Sequence, residues 1–187
     1  MNNKRRTQAE RRAETHRQVL ESACRLFGEH GYNNTSLEDI ATDCGVTTRP
    51  IYHYFGNKKA LFSAVNQLME QRIINAIDHS NPDTRLMTNW LAFLELCDDP
   101  GFRRIVLLDS PNVLGRERWG NSEVAIKALN NLQPHHDLAL RYRTELMNKM
   151  IMGAFTEAAL LIAEAENIEL AKQQASDLIE LMFTKKT

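Results

Sequence analysis

Between Ser36 and Phe62 the chain reads Ser-Leu-Glu-Asp-Ile-Ala-Thr-Asp-Cys-Gly-Val-Thr-Thr-Arg-Pro-Ile-Tyr-His-Tyr-Phe-Gly-Asn-Lys-Lys-Ala-Leu-Phe, and no other stretch limits the possible folds as much. Leu37, Ile40 and Ala41 recur at helical spacing. Ser36 with Asp39 three residues on is a capping box that opens a helix, and Cys44-Gly45 closes it. A second short helix runs from near Thr47 to about Phe55, with Val46, Ile51 and Phe55 turned toward the first. Two short helices, a tight glycine turn and apolar residues at the contact make a helix-turn-helix. The first turn of the second helix exposes Thr47, Thr48 and Arg49, the place from which a recognition helix meets base edges in the major groove. Pro50 is compatible with that helix, because N–H groups of the first turn have no helical partner.

Asn57 caps a longer helix in which Leu61, Phe62, Val65, Leu68, Met69 and Ile73 form an apolar stripe. Lys58 and Lys59 fall in its first turn, the positive end of the helix dipole, where cations are disfavoured by about 0.3–1 kcal/mol. An anion there reverses the sign, and a DNA phosphate is the natural candidate. Tyr52 and His53, close by in sequence, read as further phosphate contacts. The alternative for all four is a solvated surface position.

Helical spacing continues through the rest of the chain, and hairpin signals are nearly absent. A first helix is expected from about Ala13 to His30, with Gly31 as its C-cap. After Asn81-Pro82-Asp83 come a helix rich in apolar residues to Asp98, a short helix from Phe102 to Leu108, a loop with a turn of helix over 109–121 and a short helix before Pro134. A long helix from about Asp137 to Glu166 and a last one from Ile168 to Phe183 complete an all-α architecture of about nine helices. The expected division is a basic tail at 1–12, a helix-turn-helix domain at 13–57 and a larger body at 58–187.

Composition agrees with a globular protein: 43% of residues are hydrophobic. No apolar run approaches the roughly 18 residues of a membrane span, and the charged N-terminus lacks the apolar region of a signal peptide. Three widely spaced cysteines, Cys24, Cys44 and Cys97, argue against a disulfide framework or structural zinc, so a reducing cytoplasmic setting is expected. Residues 1–60 hold ten basic and seven acidic side chains, while the remainder holds thirteen and seventeen. A basic head on an acidic body suits a DNA-facing domain joined to one that does not touch DNA.

These residues resemble the DNA-binding domain of the TetR (tetracycline repressor) family. The likeness covers residues 19–65 and lies in Leu26-Phe27, Gly31-Tyr32, Thr35-Ser36-Leu37, Ile40-Ala41, Gly45-Val46-Thr47, Ile51 to Phe55, Asn57-Lys58 and Leu61-Phe62. The resemblance implies that Thr47, Thr48 and Arg49 face bases and that Thr35, Ser36, Tyr52, His53 and Lys58 face the DNA backbone. Lys4-Arg5-Arg6 with Arg11-Arg12 would be an arm along the duplex, or else a solubilising tail. Phe102 to Gly115 and Gly153 to Ala163 are similar to segments of the family's C-terminal body. That likeness implies a small-molecule inducer and a homodimer formed through the last two helices, bound to a pseudo-palindromic operator. The stretch between Trp119 and Pro134 is shorter than usual, so the shape of a pocket does not carry over.

Physically, Gly153, Ala154 and Ala158 permit close helix approach, while Leu146, Met150, Leu161, Ile162, Leu178, Ile179 and Met182 supply apolar area for a two-fold four-helix bundle. The same stripe could instead pack inside one chain. Trp90, Phe93, Phe102, Trp119, Met147, Ile151 and Phe155 are candidate walls of an apolar ligand pocket, or plain core. His135-His136-Asp137 lacks a third convergent metal ligand, so neither a metal nor a cofactor is expected. No nucleophile elbow, phosphate loop or zincin motif is present, so the chain is not expected to be an enzyme. The expectation is a ligand-released repressor, with control by a protein partner as the alternative.

Overall fold

The computed structural model describes residues 7–76, 85–115 and 138–183, and the described residues are helical with no strand. Helix α1 (Gln8–His30) starts five residues earlier than periodicity suggested. Its start is a capping box: the Glu10 amide donates to Thr7 Oγ1 at 3.2 Å and the Thr7 amide to Glu10 Oε2 at 2.7 Å. Residues 8–12, expected in the tail, are therefore the first turns of a helix. At the far end Gly31 takes φ +82°, and its N–H donates to Phe27 O at 2.9 Å. Then follow α2 (Leu37–Asp43), α3 (Thr48–Phe55) and α4 (Lys58–Ala76), whose first turn is capped by Asn57 Oδ1 accepting from the Ala60 amide at 2.8 Å.

The next described helix is α5 (Arg85–Leu96), and the chain turns at Asp99. Its carboxylate accepts from the amides of Gly101 (2.9 Å) and Phe102 (3.1 Å), with Pro100 in the first turn of α6 (Pro100–Arg103). A π-helical turn (Arg104–Asp109) and α7 (Ser110–Leu114) continue the helix. The turn of helix expected within 109–121 is α7, Ser110–Leu114, and residues beyond 115 in that stretch lie outside the described residues. Pro111 has no N–H to carry the ladder across the junction, and it sits where the π turn gives way to α7. The wide π turn buries three consecutive residues, Ile105, Val106 and Leu107. Two long helices end the chain, α8 (Leu138–Glu164) and α9 (Ile168–Phe183). The expected short helix before Pro134 lies outside the described residues.

One core runs from the reading head into the body: Val19, Ala23, Phe27, Ile40, Ile51 and Phe62 are continuous with Phe102, Val106 and Ala159. Phe62 meets Phe27 edge-on at 5.2 Å and Tyr32 at 5.0 Å. Helix α1 touches α6 directly because residues 28 and 101 are both glycine. A Cβ on Gly28 would lie 3.0 Å from the backbone of Gly101. Ion pairs brace the same corner: Arg72 of α4 reaches Asp99 at 2.9 Å, and Lys172 of α9 bonds Asp98. A second core of Trp90, Leu94, Ile162, Ala175 and Ile179 ties α5 to α8 and α9.

The segment Glu145–Glu164 has the length and the mean hydropathy, 1.3, of a membrane span, which the residue-by-residue reading did not find. It carries Glu157 midway, and its exposed apolar side chains include Leu146, Met150 and Leu161.

Candidate nucleic-acid interface

Helix α3 is anchored on one side and bare on the other. Ile51 is buried against the core, while Thr47, Arg49, Tyr52 and His53 are exposed and Thr48 is half-buried. Thr47 stands at the N-cap of α3 yet makes no capping hydrogen bond, which leaves its hydroxyl for another partner. Arg49 pairs with no carboxylate among the described residues. These three residues share the first turn, at the end of the helix that a major groove would receive.

Contacts that sequence reasoning missed hold the two short helices in place. His16 of α1 stacks on Phe55 with centroids 4.9 Å apart and meets Tyr54 edge-on at 5.5 Å, clamping the last turn of α3. Its place one turn before Val19 on the inner side of α1 was the only local hint. Asp43 fixes the end of α2 by accepting from Ser22 Oγ at 2.6 Å and from Arg25. Those hydrogen bonds hold its carboxyl below the usual range.

Two expected backbone contacts have their hydroxyls engaged inside the fold. Thr35 is 2% exposed, and its hydroxyl donates to the carbonyls of Gly31 (2.9 Å) and Leu26 (3.2 Å). It closes the turn between α1 and α2, and a hydroxyl with its proton spent inside the fold has none to donate to a phosphate. Ser36 is half-buried, and its hydroxyl is engaged with Asp39, accepting from the amide at 3.0 Å and donating to Oδ2 at 2.6 Å.

Lys58 begins α4, as expected, but it leans inward. Its ammonium lies 4.3 Å from the centroid of the Tyr32 ring, a cation–π contact. Burial lowers its pKa, while the nearby carboxylates of Asp109 and Asp39 pull the other way. Lys59 is exposed. Lys58, Tyr52, His53, Arg49 and Thr47 thus come from α3 and the first turn of α4.

The candidate pocket residues divide. Trp90 and Phe102 are each 1% exposed, and Ile151 is buried too. Trp90 donates from Nε1 to Ser176 Oγ at 3.0 Å and packs on Phe155 (5.0 Å) and Phe93 (5.9 Å), with Phe93 against Phe102 at 6.2 Å. Trp90 and Phe102 are packed core, Met147 is exposed, and Trp119 lies outside the described residues, as does His135-His136-Asp137. Cys97 is buried, and burial pushes its thiol up to about 12, which suppresses the reactive thiolate.

The candidate interface residues divide as well. Leu146, Met150, Gly153, Leu161, Leu178 and Met182 are exposed, and Ala154 and Ala158 are half-buried. Ile162 and Ile179 belong instead to the core inside one chain, where they pack with Trp90. An open apolar groove of about 570 Å³ lies between α8 and α9, lined by Ala154, Ala158, Leu161, Leu178 and Met182 among others.

Known proteins share this arrangement. Residues 19–65 match the bacterial regulatory proteins of the tetR family, and residues 84–185 match the tetracyclin repressor-like C-terminal domain. The HTH-type transcriptional regulator AcrR of Shigella flexneri is 43% identical over 60 residues, which is 32% of this chain and 28% of that protein. The HTH-type transcriptional repressor BepR of Brucella suis is 37% identical over 98 residues, 49% of this chain and 46% of that protein. The matches thus span less than half the length of these curated regulators. Over the whole fold, a TetR-family transcriptional regulator from Pectobacterium atrosepticum superposes with a TM-score of 0.70. It is 30% identical, with 95% of this chain and 96% of that one covered. With a matching reading head, a matching body and a full-length structural relative, the chain belongs to the TetR family of bacterial regulatory proteins.

Proposed function

We propose that the protein is a ligand-responsive transcriptional repressor that binds a pseudo-palindromic DNA operator as a homodimer. The observation that carries this reading is the bare first turn of α3, with the uncapped Thr47 hydroxyl and an exposed Arg49 guanidinium that pairs with no carboxylate among the described residues. Both are side chains that read base edges. Lys58, Tyr52 and His53 supply phosphate contacts from the flanking turn. The apolar side chains exposed along α8 and α9 supply the dimer seam, which sets two reading heads on one duplex. The names of AcrR and BepR, regulator and repressor, agree with this reading.

Duplexes selected from a random library by the purified protein test it. Arg49→Ala should cost roughly 1–3 kcal/mol on the selected site and relax preference at one position per half-site. Lys58→Ala should weaken selected and random duplexes alike and flatten the salt slope by about one unit per protomer. If Arg49→Ala lowers both affinities equally, Arg49 is a backbone contact and the reading turn is misassigned.

Release by a small apolar or amphipathic inducer is the second half of the reading. It is supported by the half-buried aromatic side chains Phe93 and Phe155 that flank the α5–α8–α9 core. A ligand that binds only the native state raises its melting temperature. A panel of apolar and amphipathic compounds should contain members that raise Tm and release the selected duplex. No shift across the panel would favour control by a protein partner.

A further inference from the structure

Asp109 lies in the body, at the end of the π-helical turn, 77 residues from Tyr32 along the chain. Its Oδ2 nevertheless accepts the Tyr32 backbone N–H at 2.8 Å. The approach depends on residue 31 having no side chain. A Cβ on Gly31 would lie 3.3 Å from Asp109 Oδ2 and 3.4 Å from Arg104 Nη1, and Gly31 also holds a positive φ of 82°. The amide so held belongs to the residue whose ring stacks on Phe27 at 5.9 Å, meets Phe62 at 5.0 Å and carries the Lys58 ammonium. A body carboxylate, a backbone amide, an aromatic ring and a lysine at a helix N-terminus therefore form one connected unit.

We infer that Asp109 is a positioning residue for DNA binding: through the Tyr32 amide it fixes the ring that holds Lys58 ready for a phosphate. This rests on the reading of Lys58 as a phosphate contact given above. A lysine on an open surface must surrender its rotamer freedom when it grips a phosphate. One already laid on a fixed ring surrenders less, so holding the ring strengthens the grip without a new contact to DNA. Asp109, a carboxylate, would repel a phosphate directly, and its charge also attracts the Lys58 ammonium, an effect that Asp109→Asn removes while keeping the hydrogen bond. Its contribution acts through Tyr32 and Lys58 and disappears when Lys58 is absent.

The test measures the salt dependence of duplex binding for the full-length protein and four variants: Lys58→Ala, Asp109→Ala, the double variant, and Asp109→Asn. Circular dichroism and melting follow each. Asp109→Ala should lose several-fold to about tenfold in affinity near 0.1 M salt for selected and random duplexes alike, and flatten the slope as Lys58→Ala does. The double variant should bind no worse than Lys58→Ala alone, because both changes remove one unit. Asp109→Asn, whose amide oxygen can still accept the Tyr32 N–H, should recover the wild-type slope. A wild-type slope in Asp109→Ala beside a flattened one in Lys58→Ala would overturn the inference, as would losses that multiply in the double variant. An unchanged slope in Lys58→Ala itself would overturn the phosphate reading, and this inference with it. Should Asp109→Ala not fold, Tyr32→Leu, which removes the ring that carries Lys58, takes its place: a slope flattened as in Lys58→Ala supports the inference, and a wild-type slope overturns it.

Discussion

Leu161→Glu is expected to leave the protein helical and folded but monomeric, and the monomer to bind its operator no better than random DNA. Leu161 is 63% exposed within one chain, so the glutamate costs the monomer little. In a two-fold seam the same residue appears twice, and each copy would bury an unpaired carboxylate, a loss of several kcal/mol. Operator binding follows the dimer because the recognition helices must enter half-sites about 34–36 Å apart, held by one rigid body. Without the second head the affinity should fall at least about a thousandfold, toward the non-specific level. Sedimentation velocity, circular dichroism and a duplex titration measure the three parts separately. Ala158→Glu would be a poorer probe, because Ala158 also packs against the core formed by Trp90, Ile162 and Ile179. A dimeric Leu161→Glu protein that still binds its operator would place the seam on another surface.

Ile162 and Ile179, one position from Leu161 and Leu178, show where the sequence stopped being informative. Helix α8 is apolar on several faces, so spacing alone cannot say which face turns inward and which is left for a second chain. The reading head was legible because its determinants are local. Ser36 and Asp39 cap α2, Gly45 takes φ +68° in the turn, and Asn57 starts α4, each within four residues of the feature it sets. The start of α1 was missed because Thr7 and Glu10 form a capping box inside a charged run without apolar periodicity. The burial of Thr35 was not legible because its hydroxyl partners, the carbonyls of Leu26 and Gly31, depend on how the chain turns after α1. The long-range joints were invisible for a stronger reason. Gly28 against Gly101, Asp109 on the Tyr32 amide and Arg72 on Asp99 bring together residues distant in the chain, and nothing in either partner's neighbourhood announces the other.

Trp90→Ala should be among the most destabilising single changes in the body. The indole is 1% exposed, contacts Phe93 and Phe155, and donates to Ser176, so its removal opens a cavity where α5, α8 and α9 meet. Truncation of a buried tryptophan costs about 3–5 kcal/mol. At roughly 2–4 °C per kcal/mol for a chain of this size, Tm should drop by about 6–20 °C. Ser176→Ala separates the hydrogen bond from the packing. It leaves the ring in place but strands a buried N–H, so it should cost about 1–3 kcal/mol. Because the same core braces the exposed face of α8 and α9, Trp90→Ala should also weaken the proposed dimer, which should dissociate at higher protein concentration than the wild type. The cavity gives an independent check: a small aromatic such as indole should raise the Tm of the variant more than that of the wild-type protein, since a ligand of the native state stabilises by mass action. A Tm loss of only a few degrees, with no rescue by indole, would mean that Trp90 borders a space already open in the folded protein and belongs to the wall of the inducer site instead of the core.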